Sequence, residues 1–292
     1  MAKNFNFDKR QYPPVGKCIY CGVHGPGVKL SREHIIPYSL GGRTVLPKAS
    51  CTVCAEITRD FEQTCARTIF GAFRIHQKMP TRHGDQRPDQ LPLRIMIEGR
   101  EERRMVPVKD YPGAPLMAME LGPPGIIVGL EPSAVFASIK PIIFAPTFPD
   151  TEDRLKQVRA EAGPGQGMAI EGQFNMPAFS RLLAKIAHAY AVAEYGLDGF
   201  QPFLVELILG RDDKLAYYIG GTNDALPDPV VDGKRFMHLQ ELGIYTMDER
   251  HLLCARLRLF STVGFPVYWI VIGNPTPDLT RRLLKRVPPK TP

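Results

Sequence analysis

Four cysteines in two C-x-x-C pairs, Cys18–Cys21 and Cys51–Cys54, constrain the first quarter of this chain more than any other feature. Each pair sets two thiolates on one tight turn, and four such sulfurs complete a tetrahedral Zn²⁺ site. A closed site leaves no position for substrate, so this zinc is read as structural. The alternative is that the cysteines pack as small apolar side chains, which requires two coincident spacings. A disulfide framework is not expected. Six cysteines are spread over 292 residues, and the basic start MAKNFNFDKR has no apolar run behind it to make a secretory signal.

Charge is placed unevenly. Residues 1–83 hold 13 Lys/Arg against 5 Asp/Glu, whereas the remainder holds 24 against 25. A zinc ion on four thiolates removes about two charges from the local excess and leaves the segment basic. Such a surface suits a polyanion, with nucleic acid the expected partner, although a solvated basic face is the plain alternative. No apolar window of about 18 residues lacks a charge, so a membrane span is not expected. The most apolar stretch, 125–148, is broken by Glu131, Lys140 and three prolines. The chain therefore reads as cytoplasmic.

The pattern predicts α+β architecture: a zinc-stabilised module over residues 1–77, a Pro/Arg/Asp-rich linker over 78–92, and a domain over 93–287 with a mainly antiparallel sheet. A disordered tail is expected over 288–292. In the module, Val28–Ile36 reads as a strand. The segment after Cys54 reads as a helix with Ile57, Phe61, Thr64 or Cys65, Thr68 and Ala72 on one face. In the remainder, LRIMIEGREERRMVPV suggests a β-hairpin turning near Glu98-Gly99, and Thr151–Glu161 a short helix. Strands are expected at Ile126–Leu130, Ile139–Phe144, Leu215–Ile219, Phe236–Tyr245, Leu252–Ser261 and Pro266–Ile272. A long helix is expected from Pro177 to Gly196, with Phe179, Leu182, Leu183, Ile186 and Tyr190 inward, and another at Phe200–Leu209.

Between the two cysteine pairs the chain reads Arg32-Glu33-His34-Ile35-Ile36-Pro37, then Leu40-Gly41-Gly42. This order, with the second C-x-x-C opening a helix, resembles the zinc-knuckle branch of the HNH endonucleases over about residues 17–70. The resemblance implies a ββα-metal module. In it His34 would be the general base that activates water, and Glu33 a ligand of a hydrolytic divalent ion. Mg²⁺ or Mn²⁺ suits such oxygen ligands, with Ni²⁺ or Zn²⁺ as borderline choices. The family's middle Asn aligns with Leu46, and its last His or Asn, a metal ligand, with Ala55. On the helix Glu62 lies above position 55, so Glu62 is expected to substitute as ligand, ahead of Glu56 or Asp60. The plain alternative is that these acids are solvated and paired with Arg59 or Arg67.

The expected function is divalent-metal hydrolysis of phosphodiester bonds in DNA. The alternative is a zinc-stabilised nucleic-acid-binding protein impaired in catalysis, and a zinc-held protein-interaction module ranks third. Arg32, Lys48, Arg59 and Arg67 are the candidate nucleic-acid contacts, and Arg74, Lys78 and Arg82 follow the helix. His24 reads as surface, and Cys65, His188 and Cys254 read as core. His238 and His251 have no partner at metal spacing.

Overall fold

The computed structural model describes residues 11–81, 84, 87–97, 100–111, 116–144, 153, 156, 160, 168–170, 174–226 and 236–285. The expected helix at Thr151–Glu161 falls largely outside these residues. Glu98-Gly99, Arg82 and the 288–292 tail lie outside them altogether.

The zinc segment folds as a hairpin followed by a helix. Strand β1 (Leu30–His34) pairs antiparallel with β2 (Val45–Cys51), with Glu33 opposite Leu46 and His34 opposite Val45. The first strand is shorter than Val28–Ile36 at both ends, and Pro37 follows it after Ile35 and Ile36. A tight loop follows, in which Gly42 donates its N–H to the Pro37 carbonyl at 3.1 Å. A Cβ on Gly42 would stand 1.9 Å from the Ile36 carbonyl oxygen, so the second glycine of Leu40-Gly41-Gly42 is a steric requirement.

Helix α1 (Thr52–Thr64) starts directly after Cys51, a residue of extended backbone at its N-terminus. Its buried residues are Cys54, Thr58 and Phe61, followed by Cys65. This corrects the expected face: Ile57 and Thr68 are only half-buried, because Cys54 must turn toward the other cysteines and rotates the stripe. The helix widens over Cys65–Ile69, where Phe70 bonds five residues back to Cys65, and continues as α2 (Gly71–His76).

Among the described residues beyond the module, β3 (Gln90–Ile97) pairs antiparallel with β4 (Arg100–Pro107). Strands β5 (Leu116–Leu121) and β6 (Ile139–Phe144) form a separate pair. Strand β7 (Met168–Ile170) joins the other edge of β3. Helix α3 (Met176–Tyr195) is capped by the Asn175 side chain, which accepts from the Ala178 N–H at 2.9 Å. Gly196, at φ 74°, ends it.

The main sheet is antiparallel throughout. Its central strand β12 (Val267–Pro275) has β11 (Arg250–Arg258) on one edge, with β10 (Leu239–Met247) beyond. The other edge of β12 is shared by β8 (Phe200–Pro202) and β9 (Ile219–Thr222).

Three expectations change here. Phe200–Leu209 is a strand with one helical turn, α4 (Val205–Ile208), because Phe200–Pro202 is drawn into the sheet by Gly273–Pro275. Leu215–Tyr218 is the helical turn α5, and the strand begins only at Ile219, where pairing with Ile270 starts. Ile126–Leu130 is no strand either. Gly125–Ile127 is a tight helical turn, closed by the Leu130 N–H on the Gly125 carbonyl at 2.9 Å. A final helix, α6 (Pro277–Leu284), packs on β10 and β12.

Helix α3 is buried on nearly every side from Ala178 to Val192. That is the signature of a helix enclosed by other elements rather than lying on a surface. One side meets β11 and β12, another meets α1. A single buried cluster therefore contains Cys18, Cys51, Cys54 and Phe61 of the module together with Leu183, Ile186, Leu257 and Tyr268.

Candidate functional site

The first chemical cluster is the cysteine set. The Sγ atoms of Cys18, Cys21, Cys51 and Cys54 all lie within 4.8 Å of one another, and Cys21 and Cys51 are 3.6 Å apart. Zn–S bonds of about 2.3 Å in a tetrahedron require sulfurs about 3.8 Å apart, so the set fits zinc. Local folding explains the fit. The Gly22 N–H bonds the Cys18 carbonyl at 3.0 Å, and Gly22, at φ 75°, takes the left-handed turn that brings the first pair together. The second pair spans the junction of β2 and α1. Cys18, Cys51 and Cys54 are buried and Cys21 is exposed. Burial, and then the neighbouring Cys18, push the Cys54 thiol well above the usual range. Without a cation the thiols stay protonated; a bound Zn²⁺ would hold them as thiolates.

The second cluster lies beneath β1. Glu33 is 6% exposed and points into the protein. Its carboxylate and that of Glu62, on α1, converge on the Nζ of Lys185, at 2.6 Å and 2.8 Å. Lys185 comes from α3 and is fully enclosed, at 0% exposure. Its ammonium group also donates to the carbonyl oxygens of His34 and Ile35, the latter at 3.3 Å. Burial opposes a charge on Lys185, but Glu33 and Glu62 outweigh it and hold its pKa above the ordinary lysine value. Glu56 and Asp60 are exposed on α1. Tyr20 is within electrostatic reach of both clusters. Burial, then the charges of Glu33 and Glu62 and the sulfurs of Cys18 and Cys54, push its phenol well above its usual range.

His34 ends β1, half-buried, with its ring centroid 5.8 Å from that of the exposed Tyr38. Leu46, opposite Glu33, is 1% exposed and fills core space where the resemblance implied an amide. Ala55 is half-buried on α1. Arg32, Lys48, Arg59 and Arg67 are all exposed. Arg74 instead spends its guanidinium on the carbonyls of Ser39 and Ala66.

The weaker candidates divide cleanly. His24 is exposed, and its Nδ1 lies 3.0 Å from the Gly22 carbonyl. Cys65 and Cys254 are buried. His251 lies 3.0 Å from the Thr246 hydroxyl. His188 lies in the core with its Nε2 2.8 Å from the Ile19 carbonyl.

Lys185 carries this arrangement and is the residue that pattern reading passes over. A signal was present: a lysine between Leu182, Leu183 and Ile186, on the apolar face of the helix, is out of place unless paired. Its partners, Glu33 and Glu62, lie far earlier in the chain and left no local trace.

Among the described residues, no helix is long and apolar enough to cross a membrane. Neither the curated proteins nor the solved structures contain a match to this chain. Residues 18–67, which carry the four cysteines, Glu33, His34 and Glu62, match the family model of the HNH endonuclease.

Proposed function

We propose that this chain is a zinc-stabilised nucleic-acid-binding protein, with DNA the expected ligand, that holds the phosphate backbone on the exposed face of its ββα unit. One observation carries the reading: the carboxylates of Glu33 and Glu62 turn inward onto Lys185, while Arg32, Lys48, Arg59 and Arg67 stay exposed. Two of the five acids in residues 1–83 are thereby turned inward, in a segment that carries 13 basic residues. Such a face attracts phosphate without reading sequence. Tyr38, 39% exposed, adds an aromatic surface on which a base can stack.

Phosphodiester hydrolysis with His34 as general base is the second reading. The family match and the half-exposed position of His34 at the end of β1 favour it. It would require a cation at the scissile phosphate other than the one enclosed between Glu33 and Glu62.

Fluorescence anisotropy with labelled single- and double-stranded DNA, over a series of salt concentrations, tests binding. Plasmid nicking in Mg²⁺, Mn²⁺ or Ni²⁺ separates the two readings. Binding that weakens linearly in log salt, without nicking, is expected. Nicking by the wild type that is lost in His34→Ala establishes the hydrolytic reading instead. No binding at low salt sinks the proposal.

A further inference from the structure

We infer that Lys185 is the resident cation of this ββα unit: its ammonium group fills the cage between Glu33 and Glu62, and the cage accepts a divalent ion only when Lys185 is removed.

The cage is built from oxygen. Two carboxylates and the carbonyls of His34 and Ile35 surround one point, and all four meet the Lys185 ammonium group. Hard divalent ions choose such a set, with bonds of about 2.0–2.6 Å. An ammonium group has three protons to donate, and here they face four acceptors, so none is left for another ligand. A metal ion and the lysine nitrogen would have to share one volume while repelling each other.

Lys185 is also no movable latch. Leu182, Leu183, Ala184, Ile186 and Ala187, its neighbours on α3, are all at 0% exposure, and the helix is held between α1 and the main sheet. Nor does the cage open freely outward. A hydrolytic metal keeps a coordination position for the phosphate, whereas Lys185 is sealed, Glu33 nearly so, and only the Glu62 side, 22% exposed, reaches solvent. Ala55 brings no further ligand, since a methyl group has no donor atom.

Charge gives the converse. Counted as ionised, the two carboxylates and one ammonium sum to a single negative charge, while the carboxylates alone leave two, one of them on the buried Glu33. A neutral, unbranched methionine at 185 would keep the helix packing and leave that double charge for a divalent ion to neutralise.

The test uses Mn²⁺ as the probe, followed by electron paramagnetic resonance during titration of the full-length, zinc-loaded protein. Wild type is expected to show no Mn²⁺ site that Glu62→Gln abolishes. Lys185→Met is expected to bind one Mn²⁺ at least tenfold more tightly than wild type, and to lose that gain in Lys185→Met/Glu62→Gln. Its melting temperature should fall and recover in Mn²⁺. A wild-type site that disappears with Glu62→Gln overturns the inference, as does a folded Lys185→Met protein without a gain in Mn²⁺ binding. If Lys185→Met folds in neither condition, the wild-type titration decides alone. The readout needs no nucleic acid, so it stands or falls apart from the binding assay above.

Discussion

The imidazole of His238 and the carbonyl oxygen of Leu40 meet at 2.7 Å across a separation of 198 residues. The Phe260 N–H reaches the other ring nitrogen at 3.3 Å, so Nδ1 accepts and Nε2 donates, which fixes one neutral tautomer. His188 does the same for the first cysteine turn by bonding the Ile19 carbonyl. Two histidines of the C-terminal half thus hold two loops of the zinc module.

Both histidines are tuned to remain neutral. Burial lowers each pKa to about 4, against the bonded carbonyls of Ile19 and Leu40, which work to raise it. Since the unfolded histidine binds its proton near pH 6.5, their contribution is whole above that pH and is lost as pH falls toward 4. For His188, wholly enclosed, the loss is on the order of 3 kcal/mol. Urea denaturation at pH 7.5, 6 and 5 should show stability falling, with a shallower fall in His188→Asn. Equal slopes in the two proteins would refute this.

Removing the lysine cation has a structural cost as well as a metal-binding one. Lys185→Met should lose about 3–5 kcal/mol without added divalent ion, the cost of stranding buried charge. Of the two acids, Glu33→Gln should cost more than Glu62→Gln, because the side chain of Glu33 is 8% exposed and that of Glu62 22%. Chemical denaturation of the three variants checks both the size and the order.

The zinc frame was legible because its signals are local. Two cysteine spacings, a glycine pair and a strand–helix junction all lie within about forty residues, and each constrains its own backbone. Helix α3 was legible for the same reason, from Pro177 at its start to Gly196 at its end. The misread elements are those whose form depends on distant neighbours. Phe200–Pro202 and Ile219–Thr222 became strands because β12 offered them an edge, and their own composition favoured neither form strongly. The site was half legible. Helical periodicity places Glu62 toward the hairpin, but Lys185 enters from a helix that shares no pattern with the motif.

Metal removal should unfold the module rather than merely inhibit it. Structural zinc bound to four cysteines contributes apparent free energies of about 10–16 kcal/mol. Elemental analysis should find about one zinc per chain, and Cys54→Ser should lose it along with the near-ultraviolet circular dichroism of the folded protein. A Cys54→Ser protein that keeps its fold and its zinc would contradict the assignment.

Nucleic-acid binding should carry a countable electrostatic signature. Each phosphate contact contributes about −0.9 to the slope of log affinity against log salt on duplex DNA. Replacing Arg32, Lys48, Arg59 and Arg67 singly by Ala should flatten the slope by about 1 for every residue that touches phosphate. Unchanged slopes in all four variants would move the binding face elsewhere.

The glycine pair gives a further check. Gly42→Ala puts a methyl group against the Ile36 carbonyl and should cost roughly 3 kcal/mol, measurable by thermal melting. Because the loop it strains lies beside His34, loss of nucleic-acid affinity should accompany the loss of stability.

The enclosed lysine also limits how the motif can be moved between proteins. The covalent stretch from Cys18 to Arg67 contains every ligand and every signature residue, yet its counter-ion belongs to a helix that begins at Met176. Grafted alone into another chain, the stretch would arrive with two inward-facing carboxylates and nothing to answer them. A successful transplant has to bring an ammonium group from the new host or admit a metal ion in its place.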